Sequence, residues 1–330
     1  MHMNRRETLI ALVALGVAPL AAEAQPSAKI ARIGFLTTGG DAPSRLREAF
    51  LQGLHDLGYV EGRNVVIEYR SAEGRLERWQ ALSAELVALK VDVIVAPGTA
   101  AAAAAKQATR AIPIVVIGAG DPVTSGLAVS LARPGGNVTG LSALSPELVS
   151  KWLELLKQAV PGLSRVAFLW QPGALPEHTE RDMLMEAEVA ARTLGLRLQV
   201  VEARGAADID RAFADMTKAR AGALTVPSTP TFSSARRRLA DLATANRLPT
   251  MFTFREYVDA GGLMAYGPSL ADLARRGATY VDKILNGTKP GDLPIEQPTK
   301  FELVINLKTA KELGLMIPQS VLARADELLQ

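Results

Sequence analysis

From residue 29 onward, short apolar runs alternate with stretches in which apolar residues recur every three or four positions. Residues 30–36 form a run too apolar to keep a solvent face, which predicts a buried strand. After the helix-start signals Asp41 and Pro43, Leu46, Phe50, Leu54 and Leu57 mark one face of a helix that Gly58 ends. Further strands are predicted at 65–69, 91–96 and 114–117. A helix carrying Trp79, Leu82, Leu86 and Leu89 and an alanine-rich helix from Thr99 separate them. Strands of this kind, spaced by helices, predict a parallel sheet covered on both faces.

The alternation restarts after Ser142, with helices at 146–160, 175–194, 207–220 and 231–246 and strands at 165–170, 197–201, 222–226 and 249–252. Two series of similar size predict two similar lobes, although no residue-level repeat links them. The tail adds a strand at 262–266, a helix at 270–285, a strand at 301–307 and a helix at 309–313. These pieces complete both sheets if the chain crosses back between lobes. The expected class is α/β, with two doubly wound parallel-sheet lobes and a multi-strand hinge that favours rigid-body closure. A length of 330 residues suffices for two separate cores.

The N-terminus departs from this pattern. Arg5 and Arg6 precede an almost wholly apolar run over 9–20, and Ala22-Glu23-Ala24 places small residues where a signal peptidase reads. Residues 1–24 are therefore expected to be a signal peptide cleaved near Ala24, with Sec and twin-arginine export both open. The apolar run is too short for a spanning helix, and no later stretch is longer, so the mature chain is expected to be soluble. The chain has no cysteine, which excludes a lipid-anchored N-terminus, disulfides and thiolate metal sites. A net charge of +3 offers no electrostatic argument for nucleic acid.

Ligands of open parallel sheets sit beyond the carboxyl ends of the strands. In the first series those positions hold Thr38, Gly98-Thr99 and Gly120-Asp121; in the second, Trp170-Gln171, Ser228-Thr229 and Arg255. Hydroxyls, glycines, an acid, a base and an aromatic ring suit a small polar or zwitterionic solute. Thr99 at a helix start is either a carboxylate seat or an ordinary cap. Asp121 before Pro122 either holds an ammonium or caps a turn. Trp170 is either a pocket wall or core, and Tyr266, ending its strand, combines a ring with a hydroxyl. Arg255 either is solvated or clamps a carboxylate near the hinge.

The histidines are His2, His55 and His178, without the spacing of a metal site or a hydrolytic relay. No GxSxG elbow or phosphate loop is present, so no cofactor, metal or catalytic residue is expected. A pair of carboxylates brought together by the fold stays open as an enzymatic alternative.

The run Gly120-Asp121-Pro122-Val123, Gly126-Leu127 and Ser130-Leu131-Ala132-Arg133-Pro134-Gly135-Gly136-Asn137-Val138-Thr139-Gly140 resembles the hallmark block of one family, as does Ala260-Gly261-Gly262-Leu263-Met264-Ala265-Tyr266-Gly267-Pro268. Ile33-Gly34-Phe35-Leu36 and Leu57-Gly58-Tyr59-Val60-Glu61-Gly62 fit as well. This is the ABC-transporter substrate-binding family that includes tryptophan and tyrosine binders, and the resemblance covers about residues 29–320. It implies a type I periplasmic-binding-protein fold with a three-crossing hinge. The expected lobes are 29–141 plus 262–292 and 142–261 plus 293–330. It further implies a cleft lined by Thr38, Thr99, Asp121, Ser142, Ser228 and Tyr266, while Trp170-Gln171 departs from the smaller polar pair of relatives. The implied function is periplasmic capture of a solute, such as an amino acid or aromatic acid, by a monomer that docks on an ABC permease. A ligand sensor docking on a membrane signalling protein is the alternative.

Overall fold

The computed structural model describes residues 30–39, 44–75, 77–143 and 148–330. The expected signal peptide and the helix-start signals Asp41 and Pro43 lie outside them. The first series comprises β1 (Ala31–Thr37), α1 (Arg45–Asp56), β2 (Val65–Ser71), α2 (Arg78–Ala88), β3 (Val93–Pro97), α3 (Gly98–Ala108), β4 (Ile114–Ala119) and β5 (Val138–Ser142). The second runs through α4 (Leu148–Ala159), β6 (Arg165–Trp170), α5 (Glu177–Thr193), β7 (Arg197–Glu202), α6 (Ile209–Lys218), β8 (Leu224–Val226), α7 (Pro230–Ser234), α8 (Arg236–Ala245), β9 (Thr250–Phe252) and α9 (Arg255–Asp259). The tail adds β10 (Met264–Pro268), α10 (Leu270–Leu285), β11 (Phe301–Asn306), α11 (Leu307–Glu312), α12 (Gln319–Leu322) and β12 (Glu327–Leu329).

Among the described residues the strands form two sheets, ordered β2-β1-β3-β4-β5 and β12-β11-β10-β9-β8-β6-β7. The first is wholly parallel. The second has one antiparallel pair, β10 with β11. Ile33, Phe35, Leu36, Val93, Ile94, Val95 and Ala96 are buried whichever face they point to, because helices cover both sides of the first sheet. Ser44 starts α1, its hydroxyl accepting from the Arg47 N–H.

The expected lobe boundaries need correction. Residues 262–292 do not form one piece of the first lobe. β10 pairs with β9 and β11 in the second sheet, whereas α10 lies against α1 and β4 in the first. Gly53 permits that helix contact: a β-carbon there would stand 2.8 Å from the Arg275 carbonyl oxygen. Glu296, expected in the second lobe, bonds the edge of the first sheet, its N–H donating to the Gly140 carbonyl. The chain thus passes between the sheets three times: from β5 to α4, from β10 to α10, and from Glu296 to β11. Ser142, expected to open the second lobe, is the last residue of β5 in the first.

Three smaller features differ from the sequence reading. The expected helix at 231–246 breaks at Ala235 into α7 and α8. α9 occupies what reads as a loop, and β5 and β12 are unexpected strands. Five or fewer residues carry too little periodicity to distinguish themselves from a loop. One apolar cluster continues through both lobes, from Phe35 and Ile117 to Phe232 and Tyr257.

Candidate functional site

Strands of both sheets point their carboxyl ends at one cavity of about 140 Å³. The first lobe contributes Thr38 after β1, Leu46 of α1, Pro97, Gly98 and Thr99 at the junction of β3 and α3, and Ile117, Gly118 and Gly120 at the end of β4. The second contributes Leu175, Ser228, Thr229, Ser233, Phe254, Glu256 and Tyr257, and Leu270 stands at the start of α10. Leu46, Ile117, Leu175, Phe254 and Leu270 make an apolar wall, and the hydroxyls supply the polar contacts.

The α3 edge is built to leave donors unused. Pro97 is its N-cap and has no side-chain bond to offer. The Thr99 hydroxyl instead accepts the Gly120 N–H at 2.9 Å, tying α3 to the end of β4 and keeping its own proton to donate. Gly98 enters the helix at φ +73°, and the space a β-carbon would fill there is open. The first-turn amides and the positive end of an 11-residue helix therefore face the cavity.

The opposite edge is held by α9. Tyr257 is buried, stacks on Phe252 at 4.7 Å and meets the Ser228 hydroxyl at 3.1 Å. Thr253 accepts the Ser228 N–H at 3.1 Å and so fixes the end of β8. Glu256 is the one ionisable carboxylic acid among the described lining residues. Part of the residue touches solvent, but Oε2 is buried without a hydrogen-bond partner among the described residues. Burial, together with the charges of Glu302 and Asp259, pushes its pKa up to about 7.

Of the residues singled out from the sequence, Thr38, Thr99, Gly120 and Ser228 meet in this cavity. The others do not. Asp121 caps its turn, Oδ1 accepting the N–H groups of Val123 and Thr124, and faces a small neighbouring recess. Ser142 is buried and donates through its backbone to the Glu296 carbonyl. Trp170 is core, stacked on Phe168 at 5.6 Å. Its neighbour Gln171 binds Thr229, Thr231 and the Arg204 carbonyl, so the Trp170-Gln171 pair organises the loop and does not narrow the cavity. Arg255 grips Glu327 with two bonds, at 2.6 and 2.9 Å, and joins α9 to β12. The Tyr266 ring stacks on Phe301, and its carbonyl accepts from Trp152 Nε1 at 2.7 Å. Asp121 and Trp170 are claimed by near neighbours in the chain, whereas Ser142, Gln171, Arg255 and Tyr266 are claimed by partners distant in sequence.

Glu256, Tyr257 and, as a lining residue, Leu46 escaped the strand-end rule, whereas Phe254 lies within the 252–255 stretch that the rule reaches. The strand-end rule stopped at Arg255, one residue short of Glu256. Which way a five-residue helix turns its acid depends on its packing against β9, β10 and β11.

The lobes also touch across the cleft. Arg45 at the start of α1 pairs with Asp259 at the end of α9 at 3.2 Å, and the Ser234 hydroxyl donates to the Thr38 carbonyl at 3.4 Å. The ion pair is largely exposed and contributes at most about 1 kcal/mol. Arg45→Ala is expected to raise the open-to-closed ratio by no more than about fivefold. Small-angle scattering at low salt would show this as a larger radius of gyration for the variant, a difference that high salt removes. Equal radii at low salt would deny the pair a role in closure.

Comparison with known proteins agrees with this architecture. Residues 30–329 match the family described as ABC transporter substrate binding protein. A tyrosine-binding protein of Clostridioides difficile is 27% identical over 274 residues, 82% of this chain and 77% of that protein. A conserved domain protein from Vibrio cholerae is 30% identical, covers 91% of this chain and 100% of its own, and superposes with a TM-score of 0.82. A Streptococcus pneumoniae ABC domain, solved in complex with L-Trp, is 28% identical, covers 91% and 99%, and gives a TM-score of 0.80. The chain belongs to the ABC transporter substrate-binding protein family.

Proposed function

We propose that this chain is the extracytoplasmic receptor of an ABC importer, which closes on an amino acid and presents it to a membrane permease. The carrying observation is the cavity itself, formed at strand ends of two largely parallel sheets, with an apolar wall between two polar edges. Its volume of about 140 Å³ is close to that of an engineered apolar cavity of about 150 Å³ that admits benzene. A single ring or a branched side chain therefore suits the wall formed by Leu46, Ile117, Leu175, Phe254 and Leu270. The uncapped first turn of α3 suits a ligand carboxylate. The ligands of relatives, tyrosine and L-Trp, belong to the same chemical class.

Capture of this kind involves no bond making. Closure follows from contacts that the ligand makes with both lobes at once and cannot make with either alone. The signal peptide expected over 1–24 supports export, and the working location is then the periplasm, where the monomer delivers its solute to the permease.

A thermal-shift screen of the natural amino acids and of aromatic acids tests this reading. Aromatic and branched amino acids are expected to raise the unfolding midpoint, because a ligand at a hundred times its Kd adds about 2.7 kcal/mol to the native state. A midpoint unmoved by every compound at millimolar concentration would end the receptor reading.

A further inference from the structure

Glu256 is an anomaly that solute capture in general does not explain. A carboxyl oxygen buried without a partner is costly, and closed cores rarely keep one. Here Oε2 is buried and unpartnered among the described residues while the residue lines the ligand cavity. The charged groups around it supply no hydrogen-bonded counter-ion to Oε2, and the charge of Arg255, which favours the ionised form, is outweighed by burial. The guanidinium of Arg255, on the same helix, is committed to Glu327 of β12 and reaches Asp259. Arg45 of α1 is paired with Asp259. Glu302 of β11 and Asp259 of α9 add negative charge, and Arg236 of α8 acts on Tyr257. No lysine or arginine is among the described residues lining the cavity.

We infer that this cleft selects solutes carrying a protonated amine, which Glu256 receives as its counter-ion. The inference rests on the receptor reading and names the ligand class of that site. The polarity of the cavity gives the orientation. An ammonium belongs at the α9 edge, beside Glu256, and a carboxylate at the α3 edge, on the first-turn amides. A deaminated acid of the same shape brings nothing to Glu256 and is disfavoured once that group is ionised. A proton consequence follows. In the empty cleft Glu256 is half neutral near pH 7, so an ammonium that binds below neutrality displaces a proton from it.

The test uses L-phenylalanine, 2-phenylethylamine and 3-phenylpropionate, which share one ring and differ in their charged groups. Each is titrated calorimetrically into the wild-type protein and into Glu256→Gln at pH 5.5 and pH 7.5. At pH 7.5 the variant is expected to lose about tenfold to a hundredfold in affinity for the two amines and to gain up to about fourfold for 3-phenylpropionate, which no longer meets an ionised Glu256. Wild-type affinity for L-phenylalanine should rise by about 20-fold between the two pH values, while the variant's stays flat. Titration in phosphate and Tris buffers should show about one proton released per ligand at the lower pH and about a quarter at the higher. Equal L-phenylalanine affinity in wild type and variant, or wild-type binding of 3-phenylpropionate as tight as that of L-phenylalanine, would overturn the inference and leave the receptor reading standing. Failure of all three probes to bind the wild type would also overturn the inference, while the receptor reading would still stand or fall on the thermal-shift screen of all amino acids.

Discussion

Gly140→Ala is expected to cost about 4 kcal/mol or more and to leave the first lobe unfolded or aggregated on expression. Gly140 lies within β5 at φ +131°, a conformation that L side chains rarely adopt. Its missing β-carbon would fall on the carbonyl oxygen of Val116 in β4, and within 2.7 Å of the Val116 nitrogen. Neither neighbour is a flexible side chain that can swing aside. The strand must separate from the sheet, and Glu296, which bonds both Gly140 and Ser142, would lose its anchor. Gly126→Ala is the control: φ is +69° there, but no atom lies within 4 Å, so only about 1 kcal/mol of backbone strain is expected. Urea denaturation of both variants checks the pair. A Gly140→Ala protein as stable as Gly126→Ala would mean that β4 and β5 can part without cost.

The second large effect depends on pH. Glu256 has its pKa raised from 4.5 to about 7 in the folded protein, chiefly by burial. A carboxyl group shifted upward stabilises the fold while it is neutral in both states. That contribution is complete below pH 4.5, declines as the unfolded chain ionises, and is gone once the folded form also ionises above pH 7. The decline amounts to about 3 kcal/mol for the empty protein. Glu256→Gln removes the titration. Relative to wild type, the variant should therefore gain about 3 kcal/mol in going from pH 4.5 to pH 8, whatever constant the amide itself adds or subtracts. For a chain of this size that corresponds to about 5 °C or more in the relative unfolding midpoint. A difference between the two proteins that does not change with pH would show that the carboxyl is hydrated and ordinary.

The same residue illustrates how far the sequence could be read. The alternation of apolar runs with helical periodicity depends on local chemistry, and from it came the α/β class, two lobes and the strand ends where Thr38, Thr99, Gly120 and Ser228 converge. Local chemistry also accounts for the uncapped start of α3, since Pro97-Gly98 is a sequence feature. The misplaced residues share a different property. Asp121, Ser142, Trp170, Arg255 and Tyr266 are each claimed by a nearer partner in the fold, and the partners of Ser142 and Arg255 lie 154 and 72 positions away. A side chain's chemistry announces what it can bind but not which of several suitable neighbours arrives first.

By itself, then, the sequence determined the order of elements, the parallel character of most of the sheets and the edges at which a ligand can be met. These follow from periodicity and from the fixed direction of successive parallel strands. Only the tertiary structure decided that β10 belongs to the second sheet while α10 belongs to the first lobe, and that Glu256 rather than Arg255 faces the cleft. Both outcomes depend on long-range packing around short elements, where the energy that selects one arrangement comes from distant residues and leaves no local trace.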